Sequence, residues 1–372
     1  MVPQTLMEGY SSKEPRITFG IIVLNGEPFT RYNLRALYPW AHQIIVVEGA
    51  CPAAAASATE DGHSLDHTLR ILREFKEQED LANKITIVTA EDEGYPSGFW
   101  PEKDEMSQAY AKRATGNFLW QVDVDEFYLE TDMPRIIDIL KKGADALTFR
   151  QLGFWGRPDI CSDGVFLRSY GGGDFHRLFS WGPNHRYATH RPPTVIDGHN
   201  RDKRSLRWFK STYLRRKGIY LYHYSVLFQH QVLAKSAYYA RVEWADYSES
   251  EKWAQDCWVK LGNPYRVQNM YNYPSWLYKF NGSTPEQVSR MWDDVIGGLH
   301  APIAPRDCSD VDELLSSKKY AVSIWALKLY ASFVAVRKSA FRTLKIVLTR
   351  LRLLPLAGKL LGRSASNQSG LK

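Results

Sequence analysis

The sequence predicts an α/β fold: a mostly parallel, doubly wound sheet with helices on both faces, extended at its C-terminal end by further helices. Three observations predict it. Short runs of β-branched and aromatic residues alternate with amphipathic helical patterns through roughly the first 130 residues. Each run is punctuated by Gly, Asn or Pro. The first strand, helix and second strand together take about thirty residues, the size of a βαβ unit, whose crossover implies parallel pairing.

Residues 1–15 show no periodicity and read as a flexible leader. Residues 17–24 (ITFGIIVL) form a buried strand, and Asn25-Gly26-Glu27-Pro28 ends it in a turn with Pro28 suited to open a helix. Residues 29–38 fit that helix, and 44–47 (IIVV) a second buried strand closed by Glu48-Gly49. Residues 50–63 are small, polar and glycine-bearing, a loop beside the carboxyl edge of the sheet. A helix is expected from Ser64, because Leu65, Leu69, Leu72 and Phe75 recur at spacings of four and three. Residues 85–88 (ITIV) make a third strand, 91–101 a turn-rich loop, and 102–115 a helix with Met106, Ala109, Tyr110 and Ala114 inward and Gly116 as its stop.

The fourth strand, 118–122, runs straight into acids: the stretch is NFLWQVDVDEFY, with Asp123, Asp125 and Glu126 where the strand emerges. Ligands of open α/β sheets gather at the carboxyl ends of strands, so acids there are placed to hold a cation. Strand alternation would point Asp123 and Asp125 to one side and Val124 to the other. Paired carboxylates suit a hard divalent cation that keeps waters and phosphates in its remaining positions. The letters alone prove little, because Asp310, Val311, Asp312 and Glu313 repeat them. There Ser309 precedes and leucines follow, which reads as an N-cap and first-turn acids of a helix.

Further on, 132–134 opens a short helix and 146–150 (ALTFR) is another strand. Residues 153–199, dense in Gly, Pro, Trp and His, read as loops and short strands over the active edge. Residues 201–217 are a basic run, 218–224 (GIYLYHY) a strand carrying His223, and 229–244 a helix.

Composition narrows the class. Hydrophobic content of 44% with 13% aromatics is globular, not disordered. Cys51, Cys161, Cys257 and Cys308 form no CxxC pair, so neither a zinc site nor a compact disulfide framework is indicated, and reduced thiols in a cytoplasmic protein are expected. The first residues lack the apolar core of a signal peptide, which agrees. The net charge of +7 is unevenly spread: residues 314–372 hold 12 Lys and Arg and no acid, leaving 36 basic against 41 acidic residues elsewhere, a net of −5. A basic tail on a mildly acidic body points to an anionic partner, a membrane surface or a nucleic acid. Phe341, Leu344, Leu348 and Leu351 share one helical face and Lys338, Arg342, Lys345 and Arg352 the other, which favours lipid, with no nucleic acid expected. Lys328, Arg337 and Lys338 interrupt the apolar run, so the tail is expected to lie on a membrane and not to cross it.

With those residues in place, the chain resembles the GT-A (Rossmann-like) glycosyltransferases of the bacterial family 2 type, over roughly residues 16–245. The pieces that carry the resemblance are the first strand with NGEP, the strand IIVVEG, the helix ending KRATGN and the motif DVDEF. It implies a nucleotide-sugar donor, UDP- or GDP-linked, with Mn2+ or Mg2+ held by Asp125 and Asp123. It implies Glu48 at the base or ribose, and Asn25 and Glu27 bordering the nucleotide. His223, in KGIYLYHYS, would complete the metal site, although a plain buried histidine also fits. Asp174 and His190 fall in the region that activates the acceptor hydroxyl; relatives often carry an ED or HE pair there, whereas Arg191 follows His190 here. Lys103, Arg168, Arg177 and Arg191 are basic residues that would help neutralise a diphosphate, with ordinary surface charge as the plainer reading.

The expected organisation is therefore a leader (1–15), a glycosyltransferase domain (16–245), a helical aromatic-rich addition (246–313) and a basic membrane-associating tail (314–372). The expected function is metal-dependent, inverting transfer of a sugar to a glycan or lipid-linked acceptor, in cell-surface polysaccharide synthesis at the inner membrane face. Two alternatives stand beside it. A nucleotidyltransferase should carry a glycine-rich basic loop after the first strand, and NGEP is not one. A non-catalytic binder of an anionic polymer or membrane would use the tail alone.

Overall fold

The structure, a computed structural model, describes residues 14–241, 250–268 and 273–350, with 342–350 as helix backbone only. In chain order the elements are β1 (Ile17–Val23), α1 (Phe29–Leu37), β2 (Gln43–Glu48), α2 (Thr68–Gln78), β3 (Ile85–Val88), α3 (Lys103–Ala111), β4 (Phe118–Asp123), β5 (Glu126–Phe127), α4 (Met133–Lys141), β6 (Ala146–Trp155), β7 (Arg157–Gly164) and α5 (Val165–Ser169). They continue with β8 (Asp174–Ser180), β9 (Arg186–Thr189), β10 (Thr194–Ile196), β11 (Trp208–Phe209), α6 (Ser211–Arg216), β12 (Leu221–Val226), α7 (Gln229–Tyr239), α8 (Ser250–Trp253), β13 (Ser275–Lys279), α9 (Glu286–Ile296), α10 (Ser309–Ser316) and α11 (Lys318–Arg350). The architecture is α/β with a helical C-terminal segment, as the sequence predicts.

Two compact units emerge, and the chain passes between them repeatedly. One comprises the chain through Cys161, Asp174–Ala234 and Lys279–Asp307; the other Ser162–Gly173, Lys235–Tyr278 and the chain from Cys308 on. The contiguous boundaries expected at 245 and 313 therefore do not coincide with the edges of the compact units.

The sheet of the first unit runs in the order β7-β6-β8-β4-β1-β2-β3. β1 is parallel to β2 and to β4, and β2 to β3. Because β1 is followed by β2 on one side while β4 lies on its other side, the chain reverses its winding between β1 and β4, the place where a crevice opens outside the strand ends. Register puts Ile22 beside Asp123 and Val23 beside Glu48, so the turn after β1 and both acidic strand ends share one edge. β8 enters antiparallel between β4 and β6.

The core beneath that edge is aromatic. Trp120 stacks on Phe149 with ring centroids 5.5 Å apart, and Tyr128 meets Trp120 edge-on at 4.7 Å, accepting its indole N–H at 3.1 Å. On the other face of β1, Gly20 leaves room for Tyr110 of α3: a Cβ there would lie 2.5 Å from the ring. Several helix boundaries differ from expectation. α2 begins at Thr68, four residues late, because residues 64–67 are drawn off the helical path by bonds to Asn25, Glu27 and Glu48, and Leu65 is 62% exposed. α3 ends at Ala111. Ser309 is the first helical residue of α10 and not its cap; Cys308 takes the cap position without a side-chain bond. A strand, β13, interrupts what reads as a helical addition.

In the second unit α11 packs against α5, and Val165, Trp276, Tyr320, Ile324 and Ala331 form a small core. Although Lys328, Arg337 and Lys338 interrupt it as expected, the segment Lys318–Phe341 contains an 18-residue window of mean hydropathy 1.2 and is by length and composition alone long and apolar enough to cross a membrane. Val322, Ile324, Leu327, Leu329, Phe333, Val334 and Val336 between the charges keep the average up. The amphipathic faces built on Arg342, Leu344, Lys345, Leu348, Leu351 and Arg352 lie outside the described side chains.

Candidate functional site

β4 delivers Asp123 at its last residue, and the chain then turns. Residues 124–125 form that turn before Glu126 starts β5, so strand alternation ends sooner than expected. The consequence is a spacing of three, not two: oxygen atoms of Asp123 and Glu126 and a ring nitrogen of His223 all lie within 4.8 Å of one another. β12 brings His223 in by pairing antiparallel to β5, with His223 opposite Glu126. Asp125 lies beside this group. Its Oδ1 is 3.4 Å from His223 Nε2, and its Oδ2 accepts from Gln231 Nε2 at 3.1 Å. The other ring nitrogen of His223 is 2.9 Å from Gln151 Oε1, which fixes the ring's orientation.

Arg177, from β8, completes the cluster. Its Nε donates to Glu126 Oε2 at 2.9 Å, and its Nη2 donates to Glu126 Oε1 and, at 3.0 Å, to Asp123 Oδ2. Glu126 is fully buried, whereas the Asp123 side chain is 31% exposed. Burial raises the Asp123 carboxyl, but the charges of Arg177 and then Arg191 outweigh it and hold it below the usual carboxylate range. Burial keeps Glu126 above its ordinary value despite Arg177. Arg177 thus neutralises the buried Glu126 and also holds Asp123, while the Asp123, Asp125 and His223 side chains remain partly exposed. Carboxylate oxygens with one imidazole fit Mn2+, and fit Mg2+ less well because of the nitrogen.

The other sequence candidates are spread around the same edge. Asn25, in the left-handed region at φ 53°, donates from its side chain to Ser57 O at 2.6 Å and accepts from Leu65 N at 2.7 Å. Glu27 accepts from His67 N at 3.1 Å. Both residues therefore tie the turn after β1 to the loop before α2. Glu48 is fully buried: Oε1 accepts from Ser64 N and Oγ at 2.8 and 2.7 Å, and Oε2 is 2.8 Å from His63 Nδ1. Its carboxylate thus ties the end of β2 to the loop before α2.

His190 is buried, with Nδ1 2.7 Å from Ser107 Oγ and its backbone N–H donating to Asp104 at 2.8 Å. Burial and then Arg191 push it down to about 3, so the ring is neutral. Asp174 starts β8, exposed, 3.4 Å from Arg150. Lys103 opens α3, and its charge is among those felt by His190. Arg168 belongs to the second unit, where it pairs with Asp163 at 2.7 Å and lies over Trp276. Glu126 was one of the three acids the sequence placed at the strand end but was not among the expected metal ligands, and the supporting Gln151 and Gln231 had no signal in the sequence: each acts through pairing with an element distant in the chain.

No protein-family model matches the sequence, and no curated protein matches it. Among solved structures the chain is similar to S. aureus TarS 1–349 in complex with UDP-GlcNAc, at 17% identity and TM-score 0.29 over 38% of this chain and 36% of that one. It is similar to a second structure of TarS 1–349 at 12% identity and TM-score 0.33, over 69% and 73% of the two chains. It is also similar to M. tuberculosis glucosyl-3-phosphoglycerate synthase in complex with Mn2+, UDP and glucosyl-3-phosphoglycerate, at 16% identity and TM-score 0.27, over 39% and 46%. The chain thus spans about a third of the length of the first of these and just under half of the third, and the functional reading rests on the site itself.

Proposed function

We propose that the chain is a metal-dependent glycosyltransferase of the GT-A kind, moving a sugar from a nucleotide-diphosphate donor to a glycan or lipid-linked acceptor. The observation that carries the reading is the convergence of Asp123, Glu126 and His223 within 4.8 Å, with Asp125 against His223, at the carboxyl end of β4. Asp123, Asp125 and His223 would hold Mn2+ or Mg2+. Such an ion supplies Lewis-acid neutralisation of the departing diphosphate.

The chain's own residues divide the remaining work. Arg177 keeps Asp123 ionised and oriented. Glu126, by taking the rest of that guanidinium, fixes where it points. Asn25 and Glu27 shape the wall on which the nucleotide rests, and Glu48 acts through His63 and Ser64 by holding the loop of residues 49–64. Of the two base candidates, His190 is held neutral by its burial and bonds Ser107 through Nδ1, and Asp174 is the exposed carboxylate at the start of β8. The charge of Arg191 is felt by Asp123 and that of Lys103 by His190, and both would add positive charge on the side where a diphosphate would bind. The acid Glu27 in the turn after β1 speaks against a nucleotidyltransferase, whose phosphate loop needs donors and positive charge there.

The test is a panel of nucleotide sugars scored by thermal shift with Mn2+ and with chelator, UDP-GlcNAc and UDP-glucose first. One donor should stabilise the protein selectively and only with metal, by about 2.7 kcal/mol at a hundredfold excess over Kd. Absence of any metal-dependent shift across UDP- and GDP-sugars would overturn the reading.

A further inference from the structure

Helix α11 has two apolar sides and only one is used inside its unit. Tyr320, Ile324 and Ala331 face inward against Val165 and Trp276. The Tyr320 hydroxyl accepts from Leu277 N at 2.9 Å and donates to Pro264 O at 3.2 Å. On the opposite side Val322, Trp325, Leu329, Phe333 and Val336 succeed one another at spacings of three, four, four and three, each 52–68% exposed. At 3.6 residues per turn these five fall within an arc of about 80° and run for about 21 Å along the helix. Scattered exposed hydrophobics need no explanation, but a continuous stripe of five does.

The charges beside the stripe say what covers it. Lys318 and Lys319 stand at its start, Lys328 and Arg337 along its two flanks, and no acid occurs from residue 314 onward. We propose that this stripe is a membrane-docking surface that lies flat in the interface of an anionic lipid bilayer. The apolar chains enter the acyl boundary, Trp325 sits at the headgroup level, and the lysines and arginine reach lipid phosphates with their stems along the same boundary.

Two other occupants fit less well. The 3-4-4-3 spacing would also suit a helix from a second copy, but two copies would set basic flank against basic flank, which disfavours the pairing. A crossing helix would have to expose Tyr320, Ile324 and Ala331 to lipid and break both hydrogen bonds of the Tyr320 hydroxyl. The stripe also moves the membrane-facing surface upstream of the face built on residues 341–352, and the proposal stands whether or not the chain transfers a sugar.

The experiment is co-sedimentation of the full chain with phosphatidylcholine vesicles, with and without phosphatidylglycerol. Wild type should bind the anionic vesicles, at least about tenfold more tightly than the neutral ones. W325E/F333E should lose at least about tenfold in binding with an unchanged Tm, because both side chains are exposed. K319Q/K328Q/R337Q should keep the fold and lose the preference for anionic lipid. Undiminished binding of either variant overturns the proposal. So does wild type that resists alkaline carbonate extraction, which means a span, or W325E/F333E splitting a dimer while binding vesicles as before, which means a second copy.

Discussion

The same four residues, Asp-Val-Asp-Glu, stand at 123–126 and at 310–313, and they do opposite things. At 310–313 the valine goes inside: Val311 is fully buried, Asp312 and Glu313 are exposed, and Asp310 and Asp312 lie in the first turn of α10. At 123–126 an acid goes inside: Glu126 is fully buried under Arg177, while Val124 is only partly covered. A helix start presents its first-turn acids to solvent and to its own dipole. A strand that ends in a turn beside two other strands presses them together, and only there do they need a guanidinium. Function in such a motif is a property of the neighbours it acquires.

The largest expected effect breaks the comparison at its strongest point. Arg177→Ala leaves Glu126 buried without its partner, and urea unfolding should show a loss of about 3–5 kcal/mol. Next, Asp123→Asn should lower metal-dependent transfer by about 10²–10³-fold with little change in the urea midpoint, since Arg177 keeps Glu126. A third effect is read against pH. His190 is depressed from 6.5 to about 3, so it adds stability above pH 6.5 that is lost as pH falls toward 3, when the unfolded chain takes up a proton the folded one refuses. His190→Gln should flatten the acid loss of stability between pH 6.5 and 4, by up to about 1.4 kcal/mol per pH unit. The smallest effect sharpens the contrast: Asp312→Asn should cost no more than about 1 kcal/mol and leave transfer unchanged.

The first four strands were legible because each is a contiguous β-branched or aromatic run that ends in a turn, and β3 falls on residues 85–88 as expected. Beyond them, strands were also expected at 146–150 and 218–224, where β6 and β12 lie, but β8, which enters between β4 and β6, was not legible. β8 (DFHRLFS) carries His176 and Arg177, residues that argue for a loop, yet His176 bonds Thr148 at 2.6 Å and Arg177 is held by two acids. Polar residues satisfied across the sheet leave no periodic trace in a single sequence. The basic run at 201–217 hid the same kind of pair, for Lys203 is buried on Asp145 at 2.7 Å. At the site, Asp123, Asp125 and His223 were picked out by position and resemblance. Glu126 was seen as one acid among three, and nothing in the letters distinguished its burial from the exposure of Glu313.

The most direct measurement is Mn2+ binding followed by electron paramagnetic resonance, in the presence of UDP, for wild type, Asp123→Asn and Asp312→Asn. The account predicts one bound Mn2+ in wild type and in Asp312→Asn and at least about tenfold weaker binding in Asp123→Asn. Equal binding by all three proteins, or loss in Asp312→Asn alone, would contradict it.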